Sequence, residues 1–188
     1  DAGNKEGVAN MLNNIGVIYY NRGDETTALD YYIRSLKVSE EIGDKHRIAT
    51  ALMNVGGVYS NKSITYDKAL QYHTKALVLS KSINDSELIG SSNANLGELY
   101  LNMHNLDSAL YYLKAASEIH SGTGNLTYTL NTIGKVYHTM KDYDKAIQYH
   151  QQAYDTAKVL DDKLSMAQAT QGIAATYMAE EDYQSAIK

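Results

Sequence analysis

The chain has no cysteine, no proline, no phenylalanine and no tryptophan. Without cysteine there is no disulfide framework and no thiolate metal site. Without proline, helices can run long and unbroken. The seventeen tyrosines are then the only aromatic side chains, and they must fill the large core positions. Charge is also modest. A net charge of −5 over 188 residues argues against a protein that grips a phosphate backbone, so no nucleic-acid partner is expected. No apolar run approaches the roughly 20 residues of a membrane span, so direct membrane insertion is not expected.

What is present is recurrence. The stretch 130–153 shows it best, with apolar or small residues at helical spacing: Leu130, Ile133, Gly134 and Tyr137, then Tyr143, Ala146, Ile147, His150 and Ala153. Lys141 and Asp142 divide it into two amphipathic helices joined by a tight turn. Aligned on Tyr19, Tyr59, Tyr100, Tyr137 and Tyr177, the unit repeats in steps of 40, 41, 37 and 40 residues. Three residues before each tyrosine stands Gly16, Gly56, Gly97, Gly134 or Ala174. Nine or ten residues after it comes Ala28, Ala69, Ala109, Ala146 or Ala186, followed in the first four units by Tyr31, Tyr72, Tyr112 or Tyr149. Turn signals close these units at Gly43-Asp44, Asn84-Asp85, Gly124-Asn125 and Asp161-Asp162. Such periodicity marks stacked supersecondary units, none of which buries its apolar stripe alone.

The pattern predicts first helices over 5–21, 45–60, 86–102, 126–139 and 163–178. Second helices are expected over 25–42, 66–83, 106–120 and 143–160, with a stub from 183. Asp24, Thr65, Asn105, Asp142 and Asp182 sit where the N-caps of the second helices belong.

These residues resemble the tetratricopeptide repeat. Leu12, Ile15, Gly16 and Tyr19 with Ala28, Tyr32 and Ser35 form one copy; Leu52, Val55, Gly56 and Tyr59 with Ala69, His73 and Ala76 form another. Leu130, Ile133, Gly134 and Tyr137 with Ala146, His150 and Ala153 form the cleanest. The resemblance covers essentially the whole chain. It implies an all-α fold, a right-handed superhelical solenoid of antiparallel helix pairs. The repeats would be 4–43, 44–84, 85–124, 125–161 and a truncated 162–188, in a single solenoid spanning 1–188. The common form has 34 residues, a Trp and a Pro. Here the period is about 40 and both are missing, as in a long-helix branch that includes spindle-orientation scaffolds, peptide-pheromone receptors and repeat arms of bacterial signalling proteins.

Two steps depart from 40. One extra residue in the loop 61–65 is a bland insertion. The short step removes residues from the start of the fourth first helix, and Gly122 adds a second breaker before Gly124. The stretch 121–127 is therefore expected to be a loosened junction.

In arrays of this family the first helices line a concave groove. At ~100° per residue, the positions opposite their cores include Asn10, Asn14 and Asn21, then Thr50, Asn54 and Asn61, then Asn95, Glu98 and Asn102. In the last two units they include Tyr128, Thr132, Lys135 and Thr139, then Gln168, Gly172, Ala175 and Ala179. This face is amide-rich, with Glu98 and Lys135 its only charges. A carboxamide offers both a donor and an acceptor, which suits an extended peptide backbone. The predicted peptide-binding residues are Asn10, Asn14, Asn21, Asn54, Asn61, Asn95, Glu98, Asn102, Tyr128 and Lys135. Asn14, Asn54 and Asn95 would form one row and Asn21, Asn61 and Asn102 a second. The plainer alternative is that these asparagines bond neighbouring repeats.

Catalysis has little support. His73 and His150 occupy the aromatic core position of second helices, and no zinc-protease, phosphate-loop or nucleophile-elbow motif occurs. No catalytic residue, metal ligand or cofactor is assigned, and the chain is not expected to be an enzyme. The expected function is a protein-interaction scaffold binding a peptide segment of a partner. The alternative is a sensory arm of a larger bacterial kinase, cyclase or transcription regulator. No targeting signal fixes a compartment; a cytoplasmic location is favoured, with the periplasmic arm of a membrane signalling protein as the alternative. Gly3-Asn4 matches the Gly43-Asp44 turn, and Ala186-Ile187-Lys188 stops inside a helix. The chain is therefore expected to be a piece of a longer array, able to self-associate through apolar ends.

Overall fold

A computed structural model describes residues 2–180. Among these residues there are nine α-helices and no strand: α1 (Ala2–Asn21), α2 (Glu25–Ile42), α3 (Lys45–Tyr59), α4 (Tyr66–Ser82), α5 (Ser86–Asn102), α6 (Leu106–Ile119), α7 (Asn125–Thr139), α8 (Tyr143–Val159) and α9 (Lys163–Ala179). None of these helices is long and apolar enough to cross a membrane. The boundaries follow the expected ones closely, because the turns are chemically enforced. Side-chain oxygens of Asp24, Asp44, Asp85, Asn105, Asp142 and Asp162 accept the N–H three residues on, at 3.0 to 3.3 Å. These bonds satisfy donors that a helix start leaves open. They also hold carboxylates below their ordinary range: Asp162 through the Ser165 hydroxyl, Asp44 through the backbone N–H of Arg47.

Four expectations need correction or fall outside. The helix carries on through Gly3 and Asn4 to Ala2, so no turn stands there; a glycine costs a helix only about 1 kcal/mol relative to alanine and does not end it alone. Thr65 takes the N-cap position of α4, but its side chain makes no capping bond. Its loop closes as a 3₁₀ turn over Ser63–Thr65, and its hydroxyl donates to the carbonyls of Tyr59 and Lys62 instead. At the fourth junction the left-handed residue is Gly122 (φ 81°), not Gly124, which has helical angles (φ −60°). Asp182 and the stub from 183 lie outside the described residues.

Two compact units divide the chain, Asp1–Leu99 and Tyr100–Lys188. In the first, α2 packs against α1 and α3, and α3 packs against α1 and α4. Its core joins Ala28, Tyr32, Val55 and Val58 with a second cluster of Ala49, Leu52, Met53, Ala76 and Leu88. In the second unit, α8 packs against α7 and α9, α7 touches α9, and α6 packs on α7. Ala109, Leu113, Ile133, Val136, Tyr137 and Ala146 form its core. Each fully buried branched side chain there contributes roughly 1.5–3 kcal/mol. The aligning alanines Ala28, Ala69, Ala109 and Ala146 are 0% exposed, as close helix crossings require. The repeat tyrosines stack in pairs within each hairpin: Tyr19 on Tyr31, Tyr59 on Tyr72, Tyr100 on Tyr112 and Tyr137 on Tyr149, with centroids 5.3 to 5.6 Å apart.

Candidate functional site

In the second unit, α7, α8 and α9 enclose a cavity of about 590 Å³. From α7 it is lined by Tyr128, Asn131, Thr132, Lys135, His138 and Thr139, from α8 by His150, and from α9 by Gln168, Gln171, Gly172 and Ala175. Seven of these, Tyr128, Thr132, Lys135, Thr139, Gln168, Gly172 and Ala175, are positions that the helical angle had placed opposite the core. Tyr128, at 42% exposed, and Lys135 stand at the surface.

The floor of the cavity is polar and fixed. The His150 ring fits between two glycines: a Cβ on Gly134 would lie 2.7 Å from its Cε1, and one on Gly172 2.4 Å. Its Nδ1 meets Oδ1 of Asn131 at 2.9 Å. Burial, then the charges of Lys135 and His138, push the imidazole pKa down to about 4, so the ring is neutral near pH 7. Thr132 and Thr139 spend their hydroxyl protons on the carbonyls of Tyr128 and Lys135. The Thr176 hydroxyl donates to Gly172 O and faces Nδ1 of His138 at 3.1 Å, so that nitrogen carries the proton.

In the first unit a smaller cavity of about 220 Å³ is lined by Ala9, Asn10, Asn13, Asn14, Ser35, His46, Arg47 and Thr50. The predicted asparagines there are mostly engaged. Nδ2 of Asn54 donates to Oδ1 of Asn13 at 2.6 Å, and Oδ1 of Asn10 accepts from Nε of Arg47 at 3.0 Å. Asn61 lies beyond the end of α3. It accepts from the Tyr20 hydroxyl and donates to Glu25, at 3.3 and 2.8 Å. Asn14 is exposed beside Asn10, Asn21 is exposed at the end of α1, and Asn95 and Glu98 are half-buried on α5. Asn102 is exposed at the end of α5, in the second unit.

The family model of the tetratricopeptide repeat matches residues 7–63 and 125–188, more than half of the chain. The chain belongs to the tetratricopeptide-repeat family. Solved structures of the same fold agree. BtubC from P. vanneervenii is 17% identical with a TM-score of 0.76, over 98% of this chain and 85% of that one. A Rap protein complexed with Competence and Sporulation Factor is 15% identical with a TM-score of 0.78, over 95% of this chain and 60% of that one. A STAND protein with a tetratricopeptide repeat sensor, from Pyrococcus horikoshii, is 19% identical with a TM-score of 0.73, over 94% of this chain and 28% of that one. No protein of curated function matches the chain.

Within this tetratricopeptide fold the bare stripe argument missed Asn131, His138, Gln171, Asn13 and Arg47. Asn131 and Gln171 each lie one position beside a predicted groove residue and three before the repeat's small residue, as Asn13 does. Reading that neighbouring column would have found all three. His150 belongs to a second helix, and borders the cavity because the facing positions are glycines. Among the described residues no cluster of three metal-ligating side chains occurs.

Proposed function

We propose that the chain is a protein-interaction scaffold whose first-helix faces hold a peptide segment of a partner protein, acting by binding and not by catalysis. Repeat arrays offer extended binding surfaces as their common mode of action. The observation that carries the reading is the 590 Å³ cavity on the first-helix face of α7 and α9, lined with amides, hydroxyls and one lysine. Such a lining can exchange hydrogen bonds with a peptide backbone in both directions, and Tyr128 and Ala175 add apolar contact. The Rap structure with Competence and Sporulation Factor supports the use of this fold for holding a second molecule. A peptide-library pull-down read by mass spectrometry supplies ligands. Ala175→Arg, an exposed change at the cavity wall, should weaken them tenfold or more. Peptides that bind wild type and Ala175→Arg alike would overturn the assignment of this face.

The second reading, a sensory arm of a larger signalling protein, is favoured by likeness to the repeat sensor of the STAND protein. A full-length gene that carries an output domain or a membrane span would support it, and one without either would remove it.

A further inference from the structure

Two leucines that close the first unit have no counterparts in the second. Leu36, eight residues after Ala28, and Leu79, ten after Ala69, pack with Ile48 and Tyr72 on the cluster of Leu52 and Ala76. The equivalent positions of the second unit, eight after Ala109 and ten after Ala146, hold Ser117 and Thr156. Ile48, Leu52 and Tyr72 keep their counterparts in Leu126, Leu130 and Tyr149. The apolar floor is thus kept and its cover is gone. The helix before it is also shorter: α6 runs ten residues past Ala109, where α2 runs fourteen past Ala28. The result is an open groove of about 670 Å³ between α6, α8 and the start of α7. It shares no lining residue with the cavity of α7 and α9.

The charge of the rim changes with it. Lys37 and Lys75 of the first unit give way to Glu118 and Gln152, and Val78 gives way to Asp155. Glu118 on α6 and Asp155 on α8 line the groove, and both are exposed. No ion pair among the described residues uses either carboxylate. Lys114 and Lys158 stand on the same helices but do not line the groove. The two hydroxyls add acceptors. Ser117 Oγ donates to Lys114 O and Thr156 Oγ1 to Gln152 O, both at 2.8 Å, so what each has left to offer is lone pairs. Oδ1 of Asp155 already accepts from Nε2 of Gln151 at 3.0 Å.

We propose that this groove docks an arginine side chain of a protein partner, at a surface separate from the peptide face above. The methylene stem lies on Leu126, Leu130 and Tyr149 while the charged head stays at the wet rim. A guanidinium brings five donors and no acceptor, which matches two carboxylates and two hydroxyls whose protons are spent. Its planar fork suits acceptors on two walls, α6 and α8, better than the point charge of a lysine does. An acidic partner meets two like charges here, and a purely apolar one strips water from two carboxylates without replacing it.

The test is an NMR titration of the ¹⁵N-labelled protein at low ionic strength and pH 7. The probes are capped Ala-Ala-X-Ala-Ala peptides in which X is arginine, lysine or citrulline, the uncharged isostere of arginine. The arginine peptide should give saturable shifts at the amides of Ser121, Leu126 and Gln152. Citrulline should bind about tenfold more weakly, and lysine should fall between. Glu118→Gln with Asp155→Asn, two exposed changes, should weaken the arginine peptide about tenfold. Ser117→Leu with Thr156→Leu, which restores the cover found in the first unit, should abolish the response. Ala175→Arg, at the other face, should leave it intact, so that the two surfaces stand or fall separately. No saturable shift with the arginine peptide, or shifts centred on Gly172 and Ala175 instead, would overturn the proposal. So would equal binding of the citrulline peptide, or binding that ignores the double carboxylate change. A lysine peptide that binds as tightly as the arginine one would overturn the choice of a guanidinium.

Discussion

Gly56 leaves the space that His73 fills. A methyl group on Gly56 would lie 2.7 Å from both Cε1 and Nδ1 of the imidazole, while one on the next residue, Gly57, would meet nothing within 4 Å. His73 is 1% exposed and cannot swing away. Gly56→Ala should therefore destabilise by roughly 1–3 kcal/mol through overpacking. Gly57→Ala in the same helix should stabilise by up to about 1 kcal/mol through helix propensity. Thermal melts of the two variants check this. Equal effects of the two alanines would show that the small residue of the repeat is not a packing requirement.

Burial pushes His73 down to about 4 from an ordinary 6.5, as it does His150. Both are neutral in the fold at pH 5, whereas an unfolded imidazole takes up a proton below about 6.5. Their contribution to stability is thus complete above pH 6.5 and is lost as pH falls toward 4. At roughly 1.4 kcal/mol per pH unit, each costs about 3 kcal/mol by the end of that window. The capping carboxylates Asp24, Asp44, Asp142 and Asp162 are shifted down, so their losses come at lower pH. Urea unfolding midpoints should fall steeply between pH 7 and 5, and less steeply in His73→Phe. Midpoints unchanged over that interval would refute the assignment.

The helix limits were legible because the same punctuation recurs. An Asp or Asn before the first turn and a residue able to take left-handed angles after the last one mark most junctions, as at Gly43-Asp44 and Asp161-Asp162. Where the chain solves a junction by another route, the pattern misleads. Thr65 turns its hydroxyl back to Tyr59, and the left-handed angles fall on Gly122, the second breaker, while Gly124 of the turn signal is helical. The face carrying Tyr128, Thr132 and Lys135 was legible from helical angle alone. That Asn131 borders a cavity was not, because this depends on a glycine about 40 residues away along the chain, on α9. Hydrogen bonding of Asn54 to Asn13 and not to Asn14 depends on the offset between adjacent helices, which a one-helix projection does not contain.

The junction 121–127 should open more easily than the one at 43–46. At the latter, Gly43 N–H bonds Glu40 O, Asp44 N–H bonds Ser39 O, and the Asp44 side chain caps Arg47 N–H. At the former, Gly124 has no side chain with which to cap α7, and its carbonyl holds Thr127 N–H at 3.3 Å. Thr123 N–H and Leu126 N–H are bonded there too, to His120 O and Thr123 O at 2.9 and 3.1 Å. The difference is the missing side-chain cap, and a helix start without one opens at lower free energy. Amide hydrogen exchange at residues 123–126 should run about tenfold or more faster than at residues 44–47. Equal protection would remove the case for a loosened junction.

The asparagine rung of the first unit can be tested on its own terms. Asn54 spends one N–H on Asn13 at 2.6 Å and joins α3 to α1, and both residues are half-buried. A neutral side-chain hydrogen bond of this kind contributes roughly 0.5–1.5 kcal/mol, more if a buried group is left unpaired. Asn54→Ala and Asn13→Ala should each lower stability by about that amount. Together they should cost less than the sum, with a coupling energy of roughly 0.5–1.5 kcal/mol in a double-mutant cycle. The same cycle separates two roles for Asn54. If its amide chiefly holds repeats together, peptide affinity should fall only when stability falls, and Asn13→Ala should reproduce the loss. If the amide also meets peptide backbone, Asn54→Ala should weaken binding several-fold beyond Asn13→Ala at matched stability. Coupling near zero, measured by urea unfolding, would show that the rung contributes nothing and would leave Asn54 free to serve a ligand.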